Sequence, residues 1–170
     1  IAIREYLGQG KGVIGFKPEN INPNSVDLTL NSEMSVYANR ILDCRQKNEV
    51  EKIEMTSEGF VLIPNVIYLA TTNETLDLKT SLKFEAKKHI CARVEGKSSL
   101  GRLGLFIHIT AGWIDAGFKG SLVLELTVVQ PLRIYPNMKI CQISFMESTE
   151  VEKHYGEKEG SKYQNQNGKS

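Results

Sequence analysis

The stretch Leu122–Val128, which has the sequence LVLELTV, decides the fold class of this chain. Every second residue is leucine or valine, and Glu125 stands in the alternate set. Such a period of two places successive side chains on opposite faces of an extended backbone. The stretch therefore predicts a β-strand. Taken alone, Glu125 would be a strand carboxylate paired with a neighbouring cation.

Five further segments show short apolar or alternating patterns, with turn signals between them. The segments are Ser25–Leu30, Phe60–Ile63, Val66–Ala70, Phe106–Ile109 and Lys139–Phe145, and the turns are Pro23-Asn24, Pro64-Asn65, Ala116-Gly117 and Pro136-Asn137. Two short helices are predicted, at Ile1–Leu7 and Ser98–Leu103. Together these patterns predict a mainly β fold, a barrel or jelly-roll with a few short helices.

The composition is that of an ordinary soluble protein with one domain. The chain has 170 residues, of which 41% are hydrophobic and 24% charged, and this length is sufficient to bury a core. Its 21 basic and 20 acidic residues leave a net charge of +1. Because nothing in this balance indicates a nucleic-acid groove or a membrane surface, we expect neither partner.

The absence of targeting signals and the use of cysteine indicate a cytoplasmic protein. No apolar stretch approaches the roughly 18 residues of a membrane-spanning helix, and the N-terminus lacks the layout of a signal peptide. Cys44, Cys91 and Cys141 are odd in number and lack C-x-x-C spacing. We expect three reduced thiols.

The composition changes at Glu147, after which the chain stays polar. We therefore divide it into a β domain, residues 1–146, and a C-terminal tail of the same domain, residues 147–170. Such a tail is typical of a disordered terminus. The alternative is a lid over a nucleotide, because the tail holds an aromatic, cationic and amide set: Tyr155, Lys162, Tyr163, Gln164 and Gln166.

The run Glu95–Gly104, with the sequence EGKSSLGRLG, collects groups that suit a polyphosphate. Its adjacent serines lie between glycines, so hydroxyls and backbone amides at the start of a short helix could converge on phosphate oxygens. Lys97 and Arg102 would supply the countercharge. The alternative is a capped helix with a solvated basic face, and this run alone does not decide between them.

Several separated motifs agree in order and spacing with one family. Residues 95–125, together with Tyr155-x6-Lys162-Tyr163-x-x-Gln166 and the upstream stretch Ile21–Leu30, closely resemble the dCTP deaminase branch of the trimeric dUTPase-like superfamily. The resemblance covers most of the chain. It implies a dUTPase-like distorted β-barrel or jelly-roll and a homotrimer with active sites between subunits.

The resemblance also implies the site residues. Ser98, Arg102 and Glu125 fall on the family's catalytic positions, and Ala111 falls where a backbone carbonyl helps to hold the water. Asp115 falls where the sugar or a hydrolytic water is held. The further nucleotide contacts that it implies are Lys97, Ser99, Leu100, Gly101, Val123, Leu124, Gln142, Tyr155, Lys162 and Gln166. Lys97 stands where many relatives have arginine, and the segment after Glu125 is about two residues shorter than the family pattern.

The implied reaction is hydrolytic deamination of dCTP, in which Glu125 serves as base and then as acid if the folded protein buries it. Zinc deaminases need an H-x-E or C-x-E element and a P-C-x-x-C element, and the sequence has neither. We therefore expect no zinc and interpret His89, His108 and His154 as structural or surface residues. We expect Mg²⁺ to arrive with the triphosphate, without protein ligands of its own.

Gly112-Trp113 indicates a second activity, because family members that form dUMP resemble this chain with glycine plus an aromatic residue there. The resemblance thus implies deamination followed by cleavage between the α and β phosphates, giving dUMP and diphosphate. Three alternatives remain open from the sequence: a deaminase that stops at dUTP, a plain dUTPase, and a nucleotide-sensing module without catalysis.

Overall fold

The computed structural model describes Leu7 and residues 12–78, 89–148 and 151–166. This part of the chain is built almost wholly from strands: β1 (Gly12–Ile14), β2 (Val26–Tyr37), β3 (Val50–Glu54), β4 (Phe60–Leu62), β5 (Tyr68–Asp77), β6 (His89–Gly96), β7 (Leu105–Ile107), β8 (Trp113–Ile114), β9 (Lys119–Val128), β10 (Leu132–Ile134) and β11 (Lys139–Ser148). The helix α1 spans Ser98–Gly101, and 3₁₀ turns span Pro18–Asn20 and Tyr155–Glu157. The prediction of a mainly β fold with short helices is confirmed.

The strands form a nine-stranded antiparallel sheet in the order β7-β9-β5-β2-β11-β6-β8, with β1 added to β5 and β3 to β2. A second sheet pairs β10 with β4. The register shifts where β2 and β5 pair, where β5 and β9 pair and where β11 and β2 pair. Such bulges bend a strand, and the large sheet curls into a half-barrel.

The core fills the inside of this curl. Leu122, Leu124, Leu126 and Val128 of β9 are buried, whereas Glu125 is exposed, so the predicted alternation along this strand is confirmed. Fully buried side chains from other strands meet them, among them Val26, Leu28, Leu30, Leu62, Leu76, Ile140 and Ile143. Each such side chain contributes roughly 1.5–3 kcal/mol of hydrophobic stabilisation.

Sequence patterns placed six strands and missed the others. The segments with long apolar runs correspond to β2, β4, β5, β7, β9 and β11, and the predicted turns at Asn65 and Asn137 have the left-handed backbone, with φ of 66° and 62°. The missed strands β1, β3, β6, β8 and β10 are short or carry charges on their exposed side. The helix predicted at Ser98–Leu103 ends at Gly101 and continues as hydrogen-bonded turns to Gly104. The helix predicted at Ile1–Leu7 lies, apart from Leu7, outside the described residues.

Candidate functional site

Glu125 lies in the exposed set of β9, opposite Leu69 of β5. Within the described part of the chain, its carboxylate has no hydrogen-bond or ion-pair partner. The pairing with a neighbouring cation, which a strand carboxylate alone would suggest, is therefore not found there. The burial expected of a carboxylate that acts as both base and acid is not found among the described residues of one chain, where Glu125 is exposed.

His108 fixes the backbone of Glu125 from the neighbouring chain segment. The residue directly follows β7, and its N–H donates to the Glu125 carbonyl at 3.0 Å. In return, the Glu125 N–H donates to Nδ1 of His108 at 3.3 Å. Burial lowers the pKa of His108, although the nearby charge of Glu125 opposes the shift. The sequence-based prediction that His108 is a structural or surface residue therefore did not identify its hydrogen bonds to Glu125.

A cleft of about 360 Å³ opens between the end of β6 and the segment after β7. Its walls are residues 93–96, 107–110, 112 and 113. Arg93 and Glu95 form an ion pair at 3.2 Å on one side, and His108 and Trp113 lie on the other. The volume is within the range of small-molecule sites.

The segment Ala111–Asp115 brings a second carboxylate to this region. Ala111 is exposed, and the Gly112 carbonyl accepts from the Val94 N–H at 2.9 Å. A Cβ at Gly112 would lie 2.8 Å from the Val94 carbonyl oxygen, so only glycine fits without a shift of the backbone. Trp113 is 57% exposed, and its Nε1–H donates to Oδ1 of Asp115 at 3.1 Å. One oxygen of Asp115 is thereby held, and the other accepts no hydrogen bond from described residues.

The segment Lys97–Arg102 forms α1 and the turn after it. Ser98, Ser99 and Arg102 are exposed, and their side chains have no hydrogen bond or ion pair to any described residue. Leu100 packs against the core and thereby anchors the helix. This segment thus presents two hydroxyls and one guanidinium to solvent.

Lys97 is held by Asp27, a residue that sequence analysis did not single out. Nζ of Lys97 lies 2.5 Å from Oδ1 of Asp27, and Nζ of Lys139 lies 3.3 Å from Oδ2. Asn22 donates to Oδ1 at 3.0 Å. Burial alone would raise the pKa of Asp27, but the hydrogen bonds from Lys97, Asn22 and Lys139 outweigh it and lower that pKa.

Gln142 joins the same region to β6. Its Nε2–H donates to the Gly96 carbonyl at 3.3 Å, and its Oε1 accepts from the Ser25 hydroxyl at 3.0 Å. The residue that precedes Lys97 is therefore tied to β11 and to the start of β2. These bonds account for the fixed position of the α1 segment.

The tail packs along the chain segment that leads into β9. The Tyr155 N–H donates to the Ala116 carbonyl at 2.9 Å, and its ring meets the edge of Phe118. Gln166 pairs with Gly120 as a parallel bridge, and its side chain donates to the Ser121 carbonyl at 2.8 Å. Lys162 is exposed. Residues 151–166 are therefore docked, at a point about 17 Å along β9 from Glu125.

The comparison with known proteins agrees with this geometry. A family model described as dCTP deaminase-like matches residues 2–148. The chain belongs to the dCTP deaminase-like family. The resemblance inferred from the motifs is thus confirmed.

Curated relatives named "dCTP deaminase, dUMP-forming" match nearly the whole chain. A protein of Clostridium botulinum (strain Eklund 17B / Type B) is 43% identical over 98% of this chain and 89% of its own length. A protein of Hathewaya histolytica is 42% identical over 98% and 90%, and one of Leptospira biflexa is 36% identical over 95% and 86%.

A solved structure supports the fold. The crystal structure of 2'-deoxycytidine 5'-triphosphate deaminase from Agrobacterium tumefaciens superposes with a TM-score of 0.64 at 22% sequence identity. The match covers 85% of this chain and 46% of that chain. At this identity the likeness concerns the fold alone.

Within this deaminase-like fold, the residues singled out from sequence fall into separate groups. Among the described residues, no hydrogen bond or ion pair joins Ser98 or Arg102 to Glu125. Val123 shares the outward face of β9, whereas the Leu124 side chain is fully buried in the core and only its main chain is accessible to a ligand. The described residues contain no group of three or more histidine, cysteine or acidic side chains that could hold a metal ion. They also contain no helix with the length and apolar character to cross a bilayer.

Proposed function

We propose that this chain deaminates dCTP and cleaves the resulting dUTP to dUMP and diphosphate. Family membership and the naming of relatives at 36–43% identity as dUMP-forming dCTP deaminases support the proposal. The observation that carries it is the carboxylate of Glu125, which is exposed on β9, while His108, a residue of the cleft wall, binds the Glu125 backbone. A base in that position can serve a reaction that needs both removal and delivery of a proton.

In the first step, water adds to C4 of cytosine and Glu125 takes its proton. The proton then passes to the amino group, which leaves as ammonia, so that dCTP and water give dUTP and ammonia. The Ser98 hydroxyl and the Ala111 carbonyl would orient the water, and Arg102 would position Glu125 and offset developing charge. A second water then attacks the α phosphorus, and diphosphate leaves.

Asp115 is the residue that we assign to the second water. Trp113 donates to one of its oxygens, and Gly112 lets the segment approach Val94 closely. Magnesium, bound to the triphosphate, would neutralise the diphosphate as it leaves. The same magnesium would be held mainly by phosphate oxygens and water.

The triphosphate contacts that we propose follow the two exposed groups. The first group is the α1 segment, which supplies Lys97, Ser99, Leu100 and Gly101. The second group is β9, which supplies Val123 and the Leu124 main chain beside Glu125. Gln142 borders Lys97 through Gly96. Tyr155, Lys162 and Gln166 of the tail would cover the nucleotide.

We further propose a homotrimer with active sites between subunits. The lack of a hydrogen bond or ion pair between Glu125 and either Ser98 or Arg102 among the described residues of one chain supports this arrangement. Mixing a Ser98→Ala protein with a Glu125→Gln protein after partial dissociation tests it. Recovered activity is expected if one site draws these residues from two subunits. Activity no higher than that of either variant alone contradicts a shared site.

The proposal is tested by incubating the protein with dCTP and magnesium, and separately with dUTP, and resolving dCTP, dUTP and dUMP. We expect dUMP from both substrates. Accumulation of dUTP alone from dCTP would indicate a deaminase that stops there, and turnover of dUTP alone would indicate a dUTPase. Turnover of neither would indicate a binding module. The three cysteines are free thiols, which suits the reducing cytoplasm where we place the reaction.

A further inference from the structure

His108 and Glu125 are bound to each other by their main chains and by one side chain. The His108 N–H donates to the Glu125 carbonyl at 3.0 Å, and the Glu125 N–H donates to Nδ1 of His108 at 3.3 Å. His108 therefore binds both the N–H and the carbonyl of the Glu125 main chain, the first of them through its imidazole.

The Glu125 N–H fixes the protonation state of the His108 imidazole, because it is a hydrogen-bond donor. A backbone N–H can only donate, so Nδ1 must offer its lone pair. Neutral histidine does so when its proton is on Nε2, whereas the imidazolium has donors at both nitrogens and no acceptor. The contact thus selects the neutral Nε2–H tautomer.

The backbone of His108 gives a second, independent indication. Its φ is +51°, in the left-handed region that residues other than glycine rarely adopt. Asparagine and histidine are among the residues that tolerate this region, and such strain persists where surrounding contacts hold it. Here the turn after β7 brings Nδ1 back onto Glu125.

We propose that His108 is a positioning residue, whose neutral imidazole holds the Glu125 peptide and so aims the Glu125 carboxylate at the reacting base. This inference rests on the proposed function, since it assigns a support to the same general base. His108 itself need not touch the substrate.

At acid pH, we expect His108 to lose its hydrogen bond to the Glu125 N–H. Protonation of Nδ1 would place two N–H donors opposite each other and break the bond to Glu125. The charged groups around the imidazole are Glu125 from β9 and the Arg93–Glu95 pair from β6, whereas residues 109–112 of the following segment carry none. Burial opposes the protonation and Glu125 favours it.

Two substitutions of His108 distinguish the effect of its hydrogen bond to Glu125 from the effect of the imidazole ring itself. In His108→Asn, the side-chain oxygen can accept from Glu125, the positive φ is tolerated, and the side chain does not titrate. In His108→Ala, no acceptor remains. We expect His108→Ala to lower kcat for dCTP about 10- to 100-fold with little change in KM, because a small displacement of a catalytic group is costly. His108→Asn should keep most of kcat.

The dependence of kcat on pH gives a readout that a structural role would not move. In the unmodified protein, kcat should fall at acid pH as His108 becomes protonated, and in His108→Asn this fall should shift to lower pH. Unaltered turnover in His108→Ala, or an acid limb at the same pH in His108→Asn, overturns the inference. Failure of the unmodified protein to turn over dCTP contradicts the proposed function instead.

A measurement on the unmodified protein keeps the inference testable if the variants do not fold. Long-range ¹H–¹⁵N spectra of histidine-labelled protein at neutral pH distinguish the two neutral tautomers. We expect His108 with a bare Nδ1 and a protonated Nε2. A proton on Nδ1 contradicts the proposed hydrogen bond whatever the activity of the protein.

Discussion

Lys97 reaches from the start of α1 back to Asp27 on β2, with 2.5 Å between its Nζ and Oδ1. The carboxylate is almost fully enclosed, with a side-chain exposure of 4%, and Lys139 binds its other oxygen. Each oxygen of this buried carboxylate therefore lies beside one ammonium group.

We expect Asp27→Asn to lower the free energy of unfolding at pH 7 by about 1–3 kcal/mol, because the amide keeps the acceptor but loses the charge. The pKa of Asp27 is lowered in the folded state. Its contribution is therefore present above the unfolded pKa near 3.8 and is lost as the pH falls through the folded value. Urea unfolding at several pH values, at fixed protein concentration, should show the difference between the two proteins shrinking at acid pH. Glu51→Gln, an exposed acid on β3, is the control.

Glu125→Gln should abolish deamination and largely preserve dCTP binding, since the amide is nearly isosteric but cannot carry a proton. The expected loss in kcat is about 100- to 10,000-fold. Steady-state assays and calorimetric titration with dCTP measure the two effects. Glu58→Gln, an exposed residue in a turn, should behave like the unmodified protein. Near-normal turnover by Glu125→Gln would remove Glu125 from the mechanism.

Gly112→Ala should destabilise the protein by about 1–3 kcal/mol, because its Cβ would press on the Val94 carbonyl oxygen. The displaced segment carries Trp113 and Asp115, so the share of dUMP among the products from dCTP should fall. For the stability measurement, Gly101→Ala is the matched control, since a Cβ there meets nothing within 4 Å. Equal melting temperatures for the two variants would contradict this steric argument.

Removal of the chain from His154 onward should leave a folded protein with greatly weakened activity, if the tail covers the nucleotide. A finer change is Gly120→Ala, because its Cβ would lie 2.8 Å from the Gln166 carbonyl oxygen at a φ of +148°. We expect this variant to loosen the docked tail and to raise KM for dCTP. Limited proteolysis of the tail and steady-state kinetics check both effects. Unchanged kinetics after truncation would assign the tail no part in catalysis.

Local patterns predicted those parts of the fold in which burial follows chain periodicity. The alternation along β9 placed Glu125 on the exposed side, and motif resemblance predicted Ser98, Arg102 and Asp115 as site residues. β6 escaped detection because Arg93 and Glu95 interrupt its apolar run on the exposed face, where both residues line the cleft.

The supporting residues of the site depend on contacts between distant parts of the chain. Asp27 lies within a predicted strand, but its partner Lys97 is 70 residues away and meets it only after β2, β11 and β6 have paired. The bond from Glu125 to His108 spans 17 residues and requires the β7–β9 register. No spacing rule within one element encodes either contact.

Because two of the three thiols are buried, a thiol reagent has one exposed cysteine to label in the folded protein. Burial raises the pKa of both Cys91 and Cys141, which leaves little of the reactive thiolate, whereas Cys44 is exposed in the connection between β2 and β3. A maleimide dye should therefore mark each folded chain once, at Cys44. Fluorescence from that position can test the proposed homotrimer by reporting exchange of chains, without a substitution anywhere in the sequence.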